Sequence, residues 1–313
     1  MRRFVAVLVA LSGLLLGSLT TATGASAGGE GTLPVPYTIF PISLVGLAPG
    51  GNAPGTNDWS CKPSAAHPRP VVLVHATGVN GMANWQTYGP LLKNNGYCVF
   101  ALTYGTISNT YPLNRFGALG PMEASAEQLR VFVDKVLAAT GAEKVDLIGH
   151  SQGTLMPNYY VKFLGGAPKV GTYISLAPLW HGSLTSGVFA SAVRVFGLPA
   201  IPICTACDQW AWNSAFIQKM HQGGRAAVPG VNYVNVITRY DQAVVPYTSG
   251  YEPGMTNILL QDLCPFDITE HIHMGASRTA SLLVLNALDP AHPRPVTCGN
   301  GAPVDFGSKT SES

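Results

Sequence analysis

The stretch Leu147-Ile-Gly-His-Ser-Gln-Gly-Thr-Leu-Met-Pro157 places a serine, Ser151, between Gly149 and Gly153. Gly and Ser are common in any loop, so G-x-S-x-G alone says little. Its surroundings say more. The apolar, β-forming run Lys144–His150 precedes it and the helix-like Thr154–Gly166 follows it. A strand running through a sharp turn into a helix is the setting in which a serine hydroxyl is exposed as a nucleophile. The flanking positions must be small because strand and helix crowd there, and the helix N-terminus favours negative charge beside the serine.

A serine hydroxyl needs a base to take its proton, and the base needs a carboxylate to orient it. In a strand–turn–helix setting of this kind the chain order is serine, acid, histidine. Asp241 directly follows the apolar run Val231–Tyr240, whose end lies on the sheet edge where Ser151 emerges. Asp208 belongs to a cysteine-rich loop, Asp262 ends the next apolar run and Asp267 lies in a loop, so Asp241 is the acid of choice. The histidines after it are His271, His273 and His292. His292 sits in a proline-rich segment expected at the surface. His271 and His273 share one loop and both could reach the site, but extended backbone would point them to opposite sides, so one serves. Oxyanion donors are expected at the backbone N–H of Gln152, next to the serine, and at Thr77 N–H, in the loop after the run ending at His75. His75 and His150 precede the acid and end buried runs, and both read as structural.

These residues need a scaffold. Continuous apolar runs at 69–77, 97–104, 144–150, 170–178, 231–240 and 256–263 suit strands buried on both faces, as in a parallel sheet. Helical patterns alternate with them. One helix is expected over 121–140, with Leu129, Phe132, Val133, Val136 and Leu137 on one face and Gly141 ending it. Others are expected at about 84–96, after the serine, at 208–220 and at 276–287. The alternation predicts an α/β fold. Residues 180–203 fit no clean element and could be a mobile cover or an ordinary loop.

The chain opens with Arg2-Arg3, an apolar stretch from Phe4 to Leu19 and then Ala25-Ser26-Ala27. That order describes a secretory signal peptide over 1–27, and its apolar core is short for a membrane span. The expected mature protein is one domain over 28–313, with an irregular Gly-, Pro-, Ser- and Asn-rich arm at 28–68 and a short C-terminal tail. Loss of Arg2 and Arg3 lowers the basic count from 18 to 16, against 16 acids. With no net charge and no basic run, no nucleic-acid partner is expected. Charged residues are only 11% of the chain and its mean hydropathy is +0.21, values that a large core or an exposed apolar binding surface would both produce. All six cysteines, Cys61, Cys98, Cys204, Cys207, Cys264 and Cys298, follow the cleavage point, and an even count in an exported chain favours disulfides. Six cysteines allow 15 pairings. Cys204 and Cys207 lack the second C-x-x-C of a zinc site and suit a local bridge.

Together the segments VVLVHATGVNGMANWQTYGPLLKNNGYCVFALTYG, DLIGHSQGTLMPNYYVKFLGG, VITRYDQAVVPYTS, LQDLCPFDITEHI and LVLNALDP resemble the secreted lipases of actinobacteria, the class 2 lipases of the α/β-hydrolase family, over about residues 60–290. The resemblance implies an α/β-hydrolase fold with a mostly parallel central sheet and helices on both faces. It implies a triad of Ser151, Asp241 and His271, choosing His271 over His273, and donors at Thr77 and Gln152. A fungal lipase fold with similar spacing implies bridges Cys61–Cys98 and Cys264–Cys298, leaving Cys204 with Cys207. Two positions depart from the family pattern: Ala76 and Thr154 stand where glycine is common. Ala tolerates fewer backbone conformations, which bears on how the Thr77 amide is set.

The expected activity is hydrolysis of carboxylic esters through an acyl-enzyme on Ser151, on triacylglycerols at an oil–water interface, by a secreted monomer. A carboxylesterase or polyester hydrolase would use the same triad. A non-catalytic binding module of the same fold would be expected to lack part of the triad, yet all three members stand in order. No cofactor or metal is expected, since there is no H-E-x-x-H and His271-Ile272-His273 has no third placed ligand. A structural calcium would leave no mark in the sequence.

Overall fold

A computed structural model describes residues 31–38, 46, 48, 50–186, 204–299 and 303–304. The expected signal peptide and much of the expected cover at 180–203 lie outside these residues, as do part of the N-terminal arm and most of the C-terminal tail.

Six strands form one sheet: β1 (Val71–Val74), β2 (Val99–Leu102), β3 (Val145–His150), β4 (Val170–Leu176), β5 (Asn232–Ile237) and β6 (Thr256–Leu259). Their order is β2-β1-β3-β4-β5-β6 and every pairing is parallel. The runs are apolar at successive positions because both faces are covered. Along β1, Val72 and Val74 enter one core cluster while Val71 and Leu73 enter the other. On the first face pack α3 (Met122–Thr140) and α4 (Met156–Phe163), through Leu129, Val133, Val136, Met156 and Tyr160. On the second lie α2 (Tyr88–Asn94) and α8 (Arg278–Leu288), through Leu91, Leu92, Leu283 and Val284. Gly141, at φ +76°, closes α3 as a left-handed cap.

Three elements differ from their sequence expectation. The run at 256–263 is a strand only to Leu259. Its partner among the described residues, β5, ends at Ile237, and the chain turns into a short helix, α7 (Leu260–Leu263), with Cys264 N–H donating to Leu260 O at 2.8 Å. The helix expected at 84–96 is two, α1 (Gly81–Asn84) and α2, with the Asn80 side chain accepting from Ala83 N–H to start the first. The helix expected at 208–220 is also two, α5 (Thr205–Gln209) and α6 (Ala215–Met220). Asn213, at φ +57°, breaks the chain between them, and Ser214 caps α6 by accepting from Ile217 N–H. The six cysteines form Cys61–Cys98, Cys204–Cys207 and Cys264–Cys298 bridges. The first ties the N-terminal arm to the residue before β2.

Candidate active site

Ser151 follows β3 immediately, at φ +55°, a left-handed conformation that costs a non-glycine residue energy. The flanking glycines are steric necessities. A Cβ on Gly149 would overlap the carbonyl oxygen of Gly153, and one on Gly153 would overlap that of Val74 in β1. The backbone therefore folds back over its own strand and onto the neighbouring one. This holds Ser151 at the C-terminal edge of the sheet, where ligands bind in open α/β folds. Thr154 helps close the turn, since its hydroxyl donates to Ser151 O at 2.7 Å.

Asp241 lies four residues beyond β5. Its Oδ1 accepts from Ala243 N–H at 2.9 Å and Val244 N–H at 2.7 Å, which orients the carboxylate. Its Oδ2 accepts from His271 Nδ1 at 2.8 Å, and His271 Nε2 lies 2.8 Å from Ser151 Oγ. The side chains of His271 and Asp241 are 8% and 3% exposed, so this ion-pair-like contact is shielded from water. The loops bearing them are joined as well. Tyr240 bridges to Glu270, His271 N–H donates to Gln242 Oε1 at 3.3 Å, and Gln242 Nε2 donates to Glu270 Oε2 at 2.6 Å. Burial opposes ionisation of Glu270, but donation from the Gln242 side chain, the Ile272 amide and His273 outweighs it and holds the carboxyl down at about 2.

The other candidates stand apart. His273 pairs with Glu270 on the surface. His292 is 83% exposed beside Asp289. Asp262 faces Arg239 in solvent, Asp267 caps Thr269 N–H, and Asp208 lies within α5.

Ser151, His271, Thr77, Ala76 and Gln152 share a cavity of about 480 Å³, with Val79, Leu179, Val244 and Ile272 giving it apolar walls. The Thr77 hydroxyl donates to Gln152 Oε1 at 2.7 Å, joining the loop after β1 to the turn after β3. Ala76 is not among the described residues with positive φ, and its N–H donates to Asn84 Oδ1 at 3.0 Å. Alanine thus fits a position where glycine's freedom is not used.

His75 and His150 are both buried, with different surroundings. His75 stacks on Tyr104, donates from Nδ1 to Ala76 O at 2.8 Å and accepts at Nε2 from Tyr104 N–H at 3.2 Å. Burial pushes its pKa down to about 4. His150 also lines the cavity, and its Nε2 donates to the backbone carbonyl of His271 at 2.9 Å. Burial, then the neighbouring His271, lowers its pKa to about 4. Sequence gave no sign that His150, Asn84 and Gln242 would support the histidine loop, because each acts across 29 residues or more. Among the described residues, the group able to share one metal ion, His181, His221 and Glu252, is not part of the cavity lining.

The arrangement can activate a hydroxyl for attack on a carbonyl carbon. The chain is similar to a triacylglycerol lipase of Pseudarthrobacter phenanthrenivorans, 39% identical over 155 residues that cover 42% of this chain and 45% of the relative. It is equally similar to a triacylglycerol lipase of Burkholderia plantarii, 39% identical over 155 residues, 42% of this chain and 40% of the relative. The match thus spans less than half the length of either curated relative. Two solved structures share the fold: Aspergillus fumigatus lipase B, with a TM-score of 0.57 and 18% identity over 80% of this chain and 63% of that one, and a mature Bacillus licheniformis lipase, with a TM-score of 0.55 and 14% identity over 76% and 99%. These are α/β hydrolases, and so is this fold. The family model for class 2 lipases matches residues 68–281. The chain belongs to the class 2 lipase family.

Proposed function

We propose that this protein is a secreted carboxylic ester hydrolase, a triacylglycerol lipase with Ser151 as nucleophile, His271 as base and Asp241 as its orienting acid. The observation that carries this reading is the continuous relay from Ser151 Oγ through both His271 nitrogens to Asp241 Oδ2, 2.8 Å at each step, beside an apolar cavity.

As Ser151 Oγ bonds to the ester carbonyl carbon, its proton passes to His271 Nε2. Negative charge moves to the carbonyl oxygen, which the amides of Gln152 and Thr77 stabilise. The Thr77 hydroxyl is engaged with Gln152 Oε1, so the Thr77 amide is the group assigned to the oxyanion. Collapse breaks the ester C–O bond, and His271 returns its proton to the departing alcohol. Water then attacks the acyl-enzyme by the same proton route, releasing the acid and restoring Ser151.

A water-insoluble substrate is favoured by exposed apolar side chains close to the triad in sequence. Tyr240, Phe266, Ile268 and Ile272 flank Asp241 and His271 in sequence, and they are 47%, 95%, 76% and 51% exposed. Ile272 lines the cavity, and exposed large apolar side chains suit an oil surface. Export, with removal of residues 1–27, is supported by three disulfides and the signal-like leader. We take the enzyme to be a single-domain monomer.

The test measures hydrolysis of a series of short to long acyl esters above and below their solubility, with Ser151→Ala alongside. Long-chain triglyceride emulsions should be cleaved, and the variant should lose activity on the order of 10⁴-fold or more. Activity confined to dissolved short esters would make this a carboxylesterase, and full activity of Ser151→Ala would remove the mechanism.

A further inference from the structure

Outside the cavity, three distant segments bring His181, His221 and Glu252 together. His181 lies beyond β4, His221 caps the C-terminus of α6 and Glu252 follows the turn Tyr247–Gly250. Glu252 Oε2 lies 3.1 Å from both His181 Nε2 and His221 Nε2, and its side chain is 1% exposed. We propose that these residues form a site for a zinc-class divalent cation.

Three observations carry the proposal. One concerns geometry. Zinc takes imidazole nitrogen and carboxylate oxygen at about 2.0–2.2 Å, which puts neighbouring donors of a tetrahedral ion about 3.3 Å apart. The two separations from Glu252 Oε2 fall close to that edge length, and all three ligand atoms lie within 4.8 Å of one another. The two rings stack at 4.6 Å with 21° between their planes, so the more exposed His181 ring must turn to aim its lone pair at a shared ion.

A second is the tautomer. His221 Nδ1 lies 3.0 Å from Ile217 O, an atom that can only accept, so Nδ1 carries a proton. The Glu252 carboxylate raises the ring's pKa by favouring a second proton on Nε2, the proton that a bound cation would replace. A backbone carbonyl on the outer imidazole nitrogen is the usual support of a metal-bound histidine. Two lone-pair atoms 3.1 Å apart require a cation or an added proton between them.

The third is the carboxylate. Glu252 Oε1 accepts from Ala226 N–H at 2.8 Å, which leaves Oε2 as the free ligand. The nearby Lys162 ammonium does not compete, because it donates to the carbonyls of Met220, Gln222 and Arg225. Two imidazoles and one carboxylate select zinc or its neighbours over calcium, which prefers six to eight oxygens. His181 and His221 are 39% and 22% exposed, so a water can complete the shell.

The ion would act on stability rather than on the ester. Residues just after His181 brace the acid turn: Ser183 Oγ donates to Ala243 O at 2.8 Å and accepts from Val245 N–H at 2.9 Å, and the Ser249 hydroxyl donates to Gly182 O. Asp241 is held by the amides of Ala243 and Val244 in that same turn.

The test uses the full secreted chain without a histidine tag, stripped with EDTA and dialysed against ZnCl₂. Wild type should retain one equivalent of zinc, and Co²⁺ should give the visible bands of a tetrahedral nitrogen–oxygen site. At free zinc 100 times Kd, Tm should rise by about 4–5 °C. Both effects should vanish in His181→Gln and Glu252→Gln but persist in His292→Asn. Should Glu252→Gln misfold, His181→Gln alone decides, because His181 is half-exposed. Zinc binding and a Tm gain unchanged in His181→Gln would overturn the proposal. So would the absence of binding with a Tm that responds only to pH, since protons would then hold the cluster. No readout involves ester hydrolysis, so the outcome is independent of the proposed activity.

Discussion

The ring of His150 donates from Nε2 to the backbone carbonyl of His271 at 2.9 Å, so the residue beside the proposed nucleophile holds the loop of its base. The two imidazoles lie 5.4 Å apart. It is a positioning residue. His150→Ala should lower kcat about tenfold with KM within about twofold, the effect of one lost buried hydrogen bond expressed in the barrier. His150→Gln, whose amide can donate to the same carbonyl, should recover part of that loss. A purely structural residue would lower Tm in both variants and leave kcat per folded molecule unchanged.

Asp241 uses its two oxygens differently, one on backbone amides and one on His271. Asp241→Asn preserves shape but presents an amide to the ring, favouring the tautomer in which Nε2 carries a proton and cannot take one from Ser151. Turnover should fall on the order of 10³–10⁴-fold while the thermal midpoint changes little. Steady-state kinetics beside differential scanning fluorimetry separates the two, and a fall in Tm that accounts for the activity loss would contradict the assignment.

Thr77 reaches Gln152 through its hydroxyl, across 75 residues of chain. Thr77→Val keeps the volume and removes the donor, leaving the buried Gln152 Oε1 without it. About a tenfold fall in kcat is expected, with Thr77→Ser close to wild type. Equal kinetics for Val and Ser would show that the hydroxyl does not help set the two amides.

His75 makes stability depend on pH. Its neutral ring donates at Nδ1 and accepts at Nε2 from Tyr104 N–H, so protonation would point a new N–H at an existing one. The folded value is about 4, below the 6.5 of an ordinary histidine. Because the unfolded chain binds the proton more readily, stability is unaffected above pH 6.5 and falls as pH drops from 6.5 towards 4, by up to about 3 kcal/mol. Urea midpoints across this window should show a slope that shrinks by about one proton in His75→Gln. An unchanged slope would mean that His75 titrates normally.

Much of this site was legible in sequence because its signals are local. Gly149 and Gly153 are required within one turn, and the apolar runs needed only to be buried on both faces to predict a parallel sheet. Strand lengths were less legible: Leu260 to Leu263 looks like more of β6 but curls because β5 offers no further backbone to pair with. The paired short helices near residues 84–94 and 205–220 hinge on Asn80, Asn213 and Ser214, whose effect depends on caps and a positive φ rather than on periodicity.

By itself the sequence determined the order of chemistry along the chain: a serine in a crowded turn, an acid after a buried strand, a histidine after that, and six cysteines from Cys61 onward. Residues alone left His271 and His273 open. Only the tertiary structure decided which ring meets both Ser151 and Asp241, that His150 holds the His271 loop, and that His181, His221 and Glu252 converge. Those outcomes depend on contacts between residues 29 to 121 positions apart, and periodicity carries no information about which distant loops the sheet order brings to one edge.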